Sequence, residues 1–231
     1  MRTITNTYNV YKFEELTKDA QRDAIEKWYE SDDRSEQSEL FTEDSKEILK
    51  LLGFEGVKVN WSLSSCQGDG VSFTADTMYS DDIVKFLRMV SDNKANEQGY
   101  KLLESIVNKL HELWIKTNGF INPQIIRDYD YMIQFNRIQW NYVHSNSVQL
   151  VQDYTEMDEA ETPEQVIKYF NNTVIKYFNN TEEFLKVAYL IICKDLEKYG
   201  YKCFEYRMPE DEFQELAECN QYEFTENGTI V

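Results

Sequence analysis

The chain has 231 residues, 42% of them apolar and 14% aromatic, which is enough for a packed core and argues against intrinsic disorder. Lys and Arg number 24 against 42 Asp and Glu, for a net charge of −18. Such a surface repels nucleic-acid phosphates, so direct nucleic-acid binding is disfavoured and basic patches on other proteins are the expected attractant.

No basic segment followed by an apolar run opens the chain, and no 18-residue apolar stretch occurs, so the expectation is a cytosolic protein that does not span a membrane. Cys66, Cys193, Cys203 and Cys219 lack CxxC spacing and read as free thiols in a reducing compartment. Residues Thr3 to Phe13 are β-prone and are expected to add a strand beside the hairpin that follows. Thr17 caps a helix with Ala20, Ala24, Ile25 and Trp28 on one side, dissolving in the acidic run Glu30 to Glu39. A second helix starts near Thr42, buries Ile48, Leu49, Leu51 and Leu52, and stops at Gly53, with Phe54 placed for a hydrophobic contact behind the glycine.

From Val57 to Thr77 the pattern changes to period two. Val57, Val59, Trp61 and Leu63, then Val71, Phe73 and Ala75, alternate with small or polar residues around Gly68-Asp69-Gly70, which predicts two half-buried strands joined by a tight turn. Ser80 caps a helix carrying Ile83, Phe86, Leu87 and Val90. Another, from about Glu97, shows Leu103, Ile106, Val107, Leu110, Leu113 and Trp114 at three-four spacing and ends at Asn118-Gly119. From Asp128, alternation of Tyr129, Tyr131, Ile133 and Phe135 predicts a strand, partnered by one from about Asn146 toward Tyr154.

Residues Val166 to Thr181 are the octapeptide VIKYFNNT written twice. Copying eight residues rotates a regular helix by roughly 80°, so the two copies are expected not to share one apolar stripe. Thr181 then caps a helix ended by Tyr199-Gly200, and a short helix from Pro209 to about Glu218 precedes the Asn227-Gly228 turn. These elements predict one α+β domain over residues 1–231. Its antiparallel sheet is built on the 57–77 and 128–154 hairpins with helices mainly on one face, and a helical elaboration lies around 156–200.

Chemistry-bearing motifs are few. Gly68, Asp69 and Gly70 form an anion-holding nest or, as a lone Gly-Asp-Gly without a following Lys or helix, simply the turn. Cys66 lacks a neighbouring base, and His111 lies among apolar helix positions as a boundary residue. His144, among Ser145, Asn146 and Ser147, is the better polar-site candidate. Carboxylate pairs are abundant, but many open helices, where the dipole favours them, and none is singled out by spacing. With no HExxH, GxSxG, GxGxxG, Walker or EF-hand pattern, no catalytic residue, cofactor or metal is expected.

Three stretches taken together carry a resemblance. VYKFEELTKDAQRDAIEKW near the start, WSLSSCQGDGVSF behind a helix ending LLGF, and CNQYEFTENGTIV at the end are similar to a family of tailed-phage and prophage proteins, some labelled "antitoxin of toxin–antitoxin stability system". The run around His144 is also similar to a His-containing strand start in relatives. The resemblance implies action in the bacterial cytoplasm on a host component. By analogy with small acidic phage inhibitors it suggests an anti-defence, anti-CRISPR-type protein that blocks a basic groove, including by nucleic-acid mimicry. The expectation is thus a non-enzymatic binder of a host protein or ribonucleoprotein through Glu36, Glu39, Glu43, Asp44, Asp81, Asp82, Asp158 and Glu159. Two alternatives stay open: an antitoxin-like stoichiometric binder of a toxin, and a nucleotide- or other small-ligand-binding protein or enzyme with a pocket near Gly68, Asp69 and His144.

Overall fold

The computed structural model describes residues 9–31, 35–64, 68–94, 100–139, 141–155, 163–205 and 209–231, with the backbone alone at 31, 35 and 36. Helices and antiparallel strands make it an α+β protein, as expected. Beside the expectation of one domain stand two compact units, residues 1–38 with 205–231, and residues 39–204, each with its own core.

In the smaller unit, helix α1 (Lys18–Ser31) begins where Thr17 Oγ1 accepts the Ala20 N–H at 3.3 Å. Its Ala20 and Ala24 are buried with Phe13, Leu16 and Phe224, and with Phe213 and Ala217 of the C-terminal helix Glu210–Cys219. Small residues let the chain pass close: a Cβ on Gly228 would fall 2.3 Å from the Ala20 carbonyl oxygen. The strand expected over 3–13 is corrected where it is described. Tyr11 forms an isolated bridge with Phe224, Phe13–Glu15 is a 3-10 turn, and residues 3–8 lie outside the described residues.

Helix α2 (Ser35–Leu51) starts earlier than Thr42, inside the acidic run. Glutamate is a good helix former and its charge suits a helix N-terminus, so acidity there does not end a helix. The stop is as expected: Gly53 has φ +91°, and the Phe54 N–H donates to the Leu49 carbonyl at 3.0 Å while its ring is buried against Phe73, Phe86 and Phe135.

Strands β1 (Lys58–Ser62) and β2 (Gly70–Thr74) pair antiparallel with Val59 opposite Phe73 and Trp61 opposite Val71. The last pair is Ser62 with Gly70, so residues 63–69 join the strands, more than the expected tight turn holds. Asp69 holds its return limb by accepting the Ser62 hydroxyl at 2.6 Å and that of Ser64 at 3.2 Å. β2 is also not half-exposed, since Gly70 to Phe73 are all buried.

The single expected sheet is two. β3 (Met78–Tyr79), β4 (Tyr131–Arg137) and β5 (Val148–Tyr154) form the second, in the order β3-β4-β5. One cause is at the outer edge of β2, where the Tyr189 hydroxyl accepts the Phe73 N–H at 3.1 Å and donates to the Phe73 carbonyl at 2.9 Å. A side chain satisfies the groups that another strand would have used.

Helix α3 (Ser80–Asp92) follows β3 directly, and Ser80 is its first residue, not its cap. The Ser80 hydroxyl instead clamps the start of β4, donating to the Tyr129 carbonyl at 2.8 Å and accepting the Tyr131 N–H at 3.0 Å. Helix α4 (Lys101–Thr117) matches its periodicity. Helix α5 (Pro123–Asp128) was not expected, although Asn122 caps it through the Gln124 and Ile125 N–H groups, with Pro123 at its first position.

Helix α6 (Glu164–Tyr169), a π-turn (Phe170–Val174) and helix α7 (Ile175–Glu205) then run consecutively, with α8 (Glu210–Cys219) last. The π-turn corrects the expectation for the octapeptide. The Ile175 N–H reaches back five residues to the Phe170 carbonyl, which absorbs one residue, so the eight-residue offset behaves as seven and leaves the copies about 20° apart. Phe170 and Phe178, equivalent in the two copies, are both buried, while Lys168 and Lys176 both face solvent. The two rings join Tyr129, Tyr131 and Tyr154 in one aromatic cluster. Two further expectations about α7 fail. Thr181 lies inside the helix and donates to the Tyr177 carbonyl at 2.8 Å, and Gly200 does not end it. Gly200 serves close packing: a Cβ there would fall 2.4 Å from Leu63 Cδ1 and 2.9 Å from the Phe41 ring.

Candidate functional site

In the larger unit, a cleft lies among α2, α4 and α7. Helical spacing brings Asp44 and Ile48 from α2, Lys101, Leu102, Ser105 and Lys109 from α4, and Asp195, Lys198, Tyr199 and Lys202 from α7 onto it, with Tyr100 just ahead of α4. Its volume is about 450 Å³. Asp195 is buried, and a buried carboxylate is costly unless paired. Lys109 Nζ supplies the pairing at 2.5 Å and the Ser105 hydroxyl adds a weaker bond at 3.4 Å. At the other wall, the Tyr199 hydroxyl donates to Asp44 at 2.5 Å. Burial first, then this bond to a carboxylate, pushes the Tyr199 pKa up, so the phenol keeps its proton.

The expected site residues lie elsewhere, apart from Asp44. Glu39, Glu43 and Asp44 share the exposed side of α2, and Glu43 pairs with Lys46 at 2.7 Å. Asp81 pairs with Arg127 at 3.6 Å, while Asp82 pairs with Lys85 at 3.6 Å and accepts the Tyr79 N–H. These carboxylates are thus partly compensated. The Glu36 side chain, Asp158 and Glu159 lie outside the described residues, as does Cys66.

The structure does bring Gly68, Gly70 and His144 together. A Cβ on Gly70 would meet the His144 Cα at 3.1 Å, and one on Gly68 would meet the Tyr142 ring at 2.4 Å, with that ring stacked on His144. Protein side chains occupy the space beside both glycines. His144 Nδ1 is buried and has no hydrogen-bond partner among the described residues, and the His144 carbonyl accepts the Ser147 hydroxyl. His111 is a boundary residue as expected, its Nδ1 2.9 Å from the Val90 carbonyl oxygen. No group of three or more His, Cys, Asp or Glu poised to hold a metal occurs among the described residues.

Sequence reasoning passed over the four lysines of the cleft. A signal was present: Asp195, Lys198, Tyr199 and Lys202 recur at three-four spacing on one helix face, and Lys101 and Lys109 lie two turns apart on another.

The smaller unit has its own groove, between α1 and α8, of about 700 Å³. Asp19, Glu26, Glu30 and Glu210 line it against Lys18 and Arg22, with Ile25 and Tyr29 as apolar walls. The whole unit carries 17 Asp and Glu against seven Lys and Arg within 65 residues, so it holds more than half of the chain's net charge of −18.

These features define an α+β protein with a cation-lined cleft in one unit and a concentrated acidic surface on the other. Residues 38–202 match the family described as Domain of unknown function (DUF8835), and the chain belongs to that family. The match coincides with the larger unit, 39–204, to within two residues. No curated protein and no solved structure matches the chain. No helix among the described residues is long and apolar enough to cross a membrane.

Proposed function

We propose that the protein is a non-enzymatic inhibitor that binds a basic groove on a host defence protein or ribonucleoprotein, and that the acidic smaller unit makes first contact. The phage setting rests on the sequence resemblance, whose terminal stretches fall in this unit. The observation that carries the binding mode is the concentration of charge: a net −10 on 65 residues, three times the density of the rest. A field of one sign over a compact surface raises association rates toward an oppositely charged groove, and salt suppresses the effect. In the α1–α8 groove, carboxylates around Ile25 and Tyr29 suit a Lys or Arg side chain, which offers both charge and an apolar stem.

The test uses the full chain against purified RNA-guided and restriction complexes, with association followed by surface plasmon resonance. Association with the true partner should slow by at least about ten-fold when salt rises from about 50 to about 500 mM. Reversing Glu26, Glu30, Asp211 and Glu215 to Lys should slow it similarly at low salt. If the reversed variant associates as fast as the parent, the acidic-surface reading is wrong.

A further inference from the structure

The cleft among α2, α4 and α7 is cationic within a strongly anionic chain. Four ammonium groups, those of Lys101, Lys109, Lys198 and Lys202, face two carboxylates, Asp44 and Asp195. Lys109 is engaged by Asp195, and Asp44 takes the Tyr199 hydroxyl. Lys101, Lys198 and Lys202 have no carboxylate within 4.0 Å among the described residues. With 42 acidic side chains in the molecule, partners for these lysines are not scarce, so a set without a carboxylate partner among the described residues, gathered at one cavity, is informative. The 17-residue helix α4 also opens here, and its first-turn N–H groups and dipole add partial positive charge beside Lys101. Exposed Tyr100 lines the cleft as well, and Ile48 and Leu102 give it apolar surface.

We propose that this cleft binds a nucleoside monophosphate, with the phosphate held by Lys101, Lys198, Lys202 and the start of α4, and the base against Tyr100 and the Ile48–Leu102 wall. The charges match, because among the described lining residues four ammoniums against two carboxylates leave two positive charges for a dianionic phosphate monoester. The volume of about 450 Å³ suits a ligand of this size. The aromatic and apolar side of the cleft is what inorganic phosphate leaves unused. This site lies within the family-defining region and does not depend on the acidic surface of the other unit.

The test is isothermal titration calorimetry of the full chain with AMP, GMP, CMP and UMP, with adenosine and inorganic phosphate as the two half-ligands. At least one nucleotide should bind saturably with 1:1 stoichiometry, and more weakly at high salt. Lys101→Gln, Lys198→Gln and Lys202→Gln should each weaken it about ten-fold, as expected for loss of a charge-assisted hydrogen bond. All three lysines are exposed, so the variants should keep the parent's melting temperature, and Lys85→Gln, away from the cleft, should bind as the parent does. Absence of binding by all four nucleotides up to about 5 mM would overturn the proposal. Affinity unchanged in the three cleft variants would do the same, as would inorganic phosphate binding as tightly as the best nucleotide.

Discussion

The π-turn between the two octapeptide copies leads to a sharp experiment: removing one residue from it should be nearly silent, while removing one residue from the same helix elsewhere should be ruinous. Asn172 is exposed within the turn. Without it, Phe170 and Phe178 become seven residues apart in a regular helix, about 700° or nearly two full turns, so both rings stay in the Tyr129–Tyr131–Tyr154 cluster. The expected change is within about 1 kcal/mol, or roughly 4 °C in melting temperature for a chain of this size. Lys194 is equally exposed, but no π-turn adjoins it. Its deletion turns the N-terminal part of α7 by about 100° relative to the rest, driving Phe178, Phe184 and Leu185 out of register with the core. Each displaced ring costs about 3–5 kcal/mol and a leucine about 2–5 kcal/mol, so two or three together approach a typical total stability of about 5–15 kcal/mol. Circular dichroism melts and urea titration of both deletions decide it. If the Asn172 deletion proves as damaging as that of Lys194, the π-turn is not an absorbed residue and the in-phase reading of the repeat is wrong.

Other consequences are as direct. Lys109→Met strands the buried Asp195 carboxylate and should cost about 2–4 kcal/mol by urea titration, the partial exposure of Lys109 moderating the effect; adding Asp195→Leu should restore much of the loss, and no recovery would count against the pairing. Gly228→Ala forces a side chain at φ +77° into the Ala20 carbonyl and should cost at least about 2 kcal/mol, whereas Gly119→Ala, with open space beside it, should be close to neutral. Burial pushes the Cys193 thiol from its ordinary 9.0 up to about 12 and raises Tyr131 and Tyr189 as well, so the folded state keeps protons that the unfolded chain releases. Stability should be level below about pH 9 and fall as pH rises from about 9 toward 12; a urea midpoint constant to pH 11 would contradict this. Peptide mapping after brief iodoacetamide treatment should find exposed Cys219 alkylated well before buried Cys193.

Local chemistry explains what could be read in advance. Thr17 as a cap, the Gly53–Phe54 stop, the strands around Val59–Trp61 and Val71–Phe73, and the alternation of Tyr131, Ile133 and Phe135 each depend on neighbours in sequence or on a short-range period, and all are present. The Asn122-Pro123 start of α5 was equally legible and simply passed over. Residues whose role is set by a distant partner were misread. Ser80 and Gly200 carry the signature of helix ends, yet their positions are decided by β4 and by Phe41 and Leu63, whereas Thr181 is a local case, its hydroxyl taken by the Tyr177 carbonyl as the helix runs on through it.

The sequence by itself determined the acidity, the α+β class and most helix and strand positions, because charge, periodicity and capping act over a few residues. Only the tertiary structure decided that the sheet is split by the Tyr189 hydroxyl, that a π-turn brings the duplicated octapeptide into phase, and that four lysines from two helices meet at one cleft. The first joins groups 116 residues apart by a hydrogen bond, and the last brings together two helices whose lysine spacing is legible one helix at a time while their meeting is not.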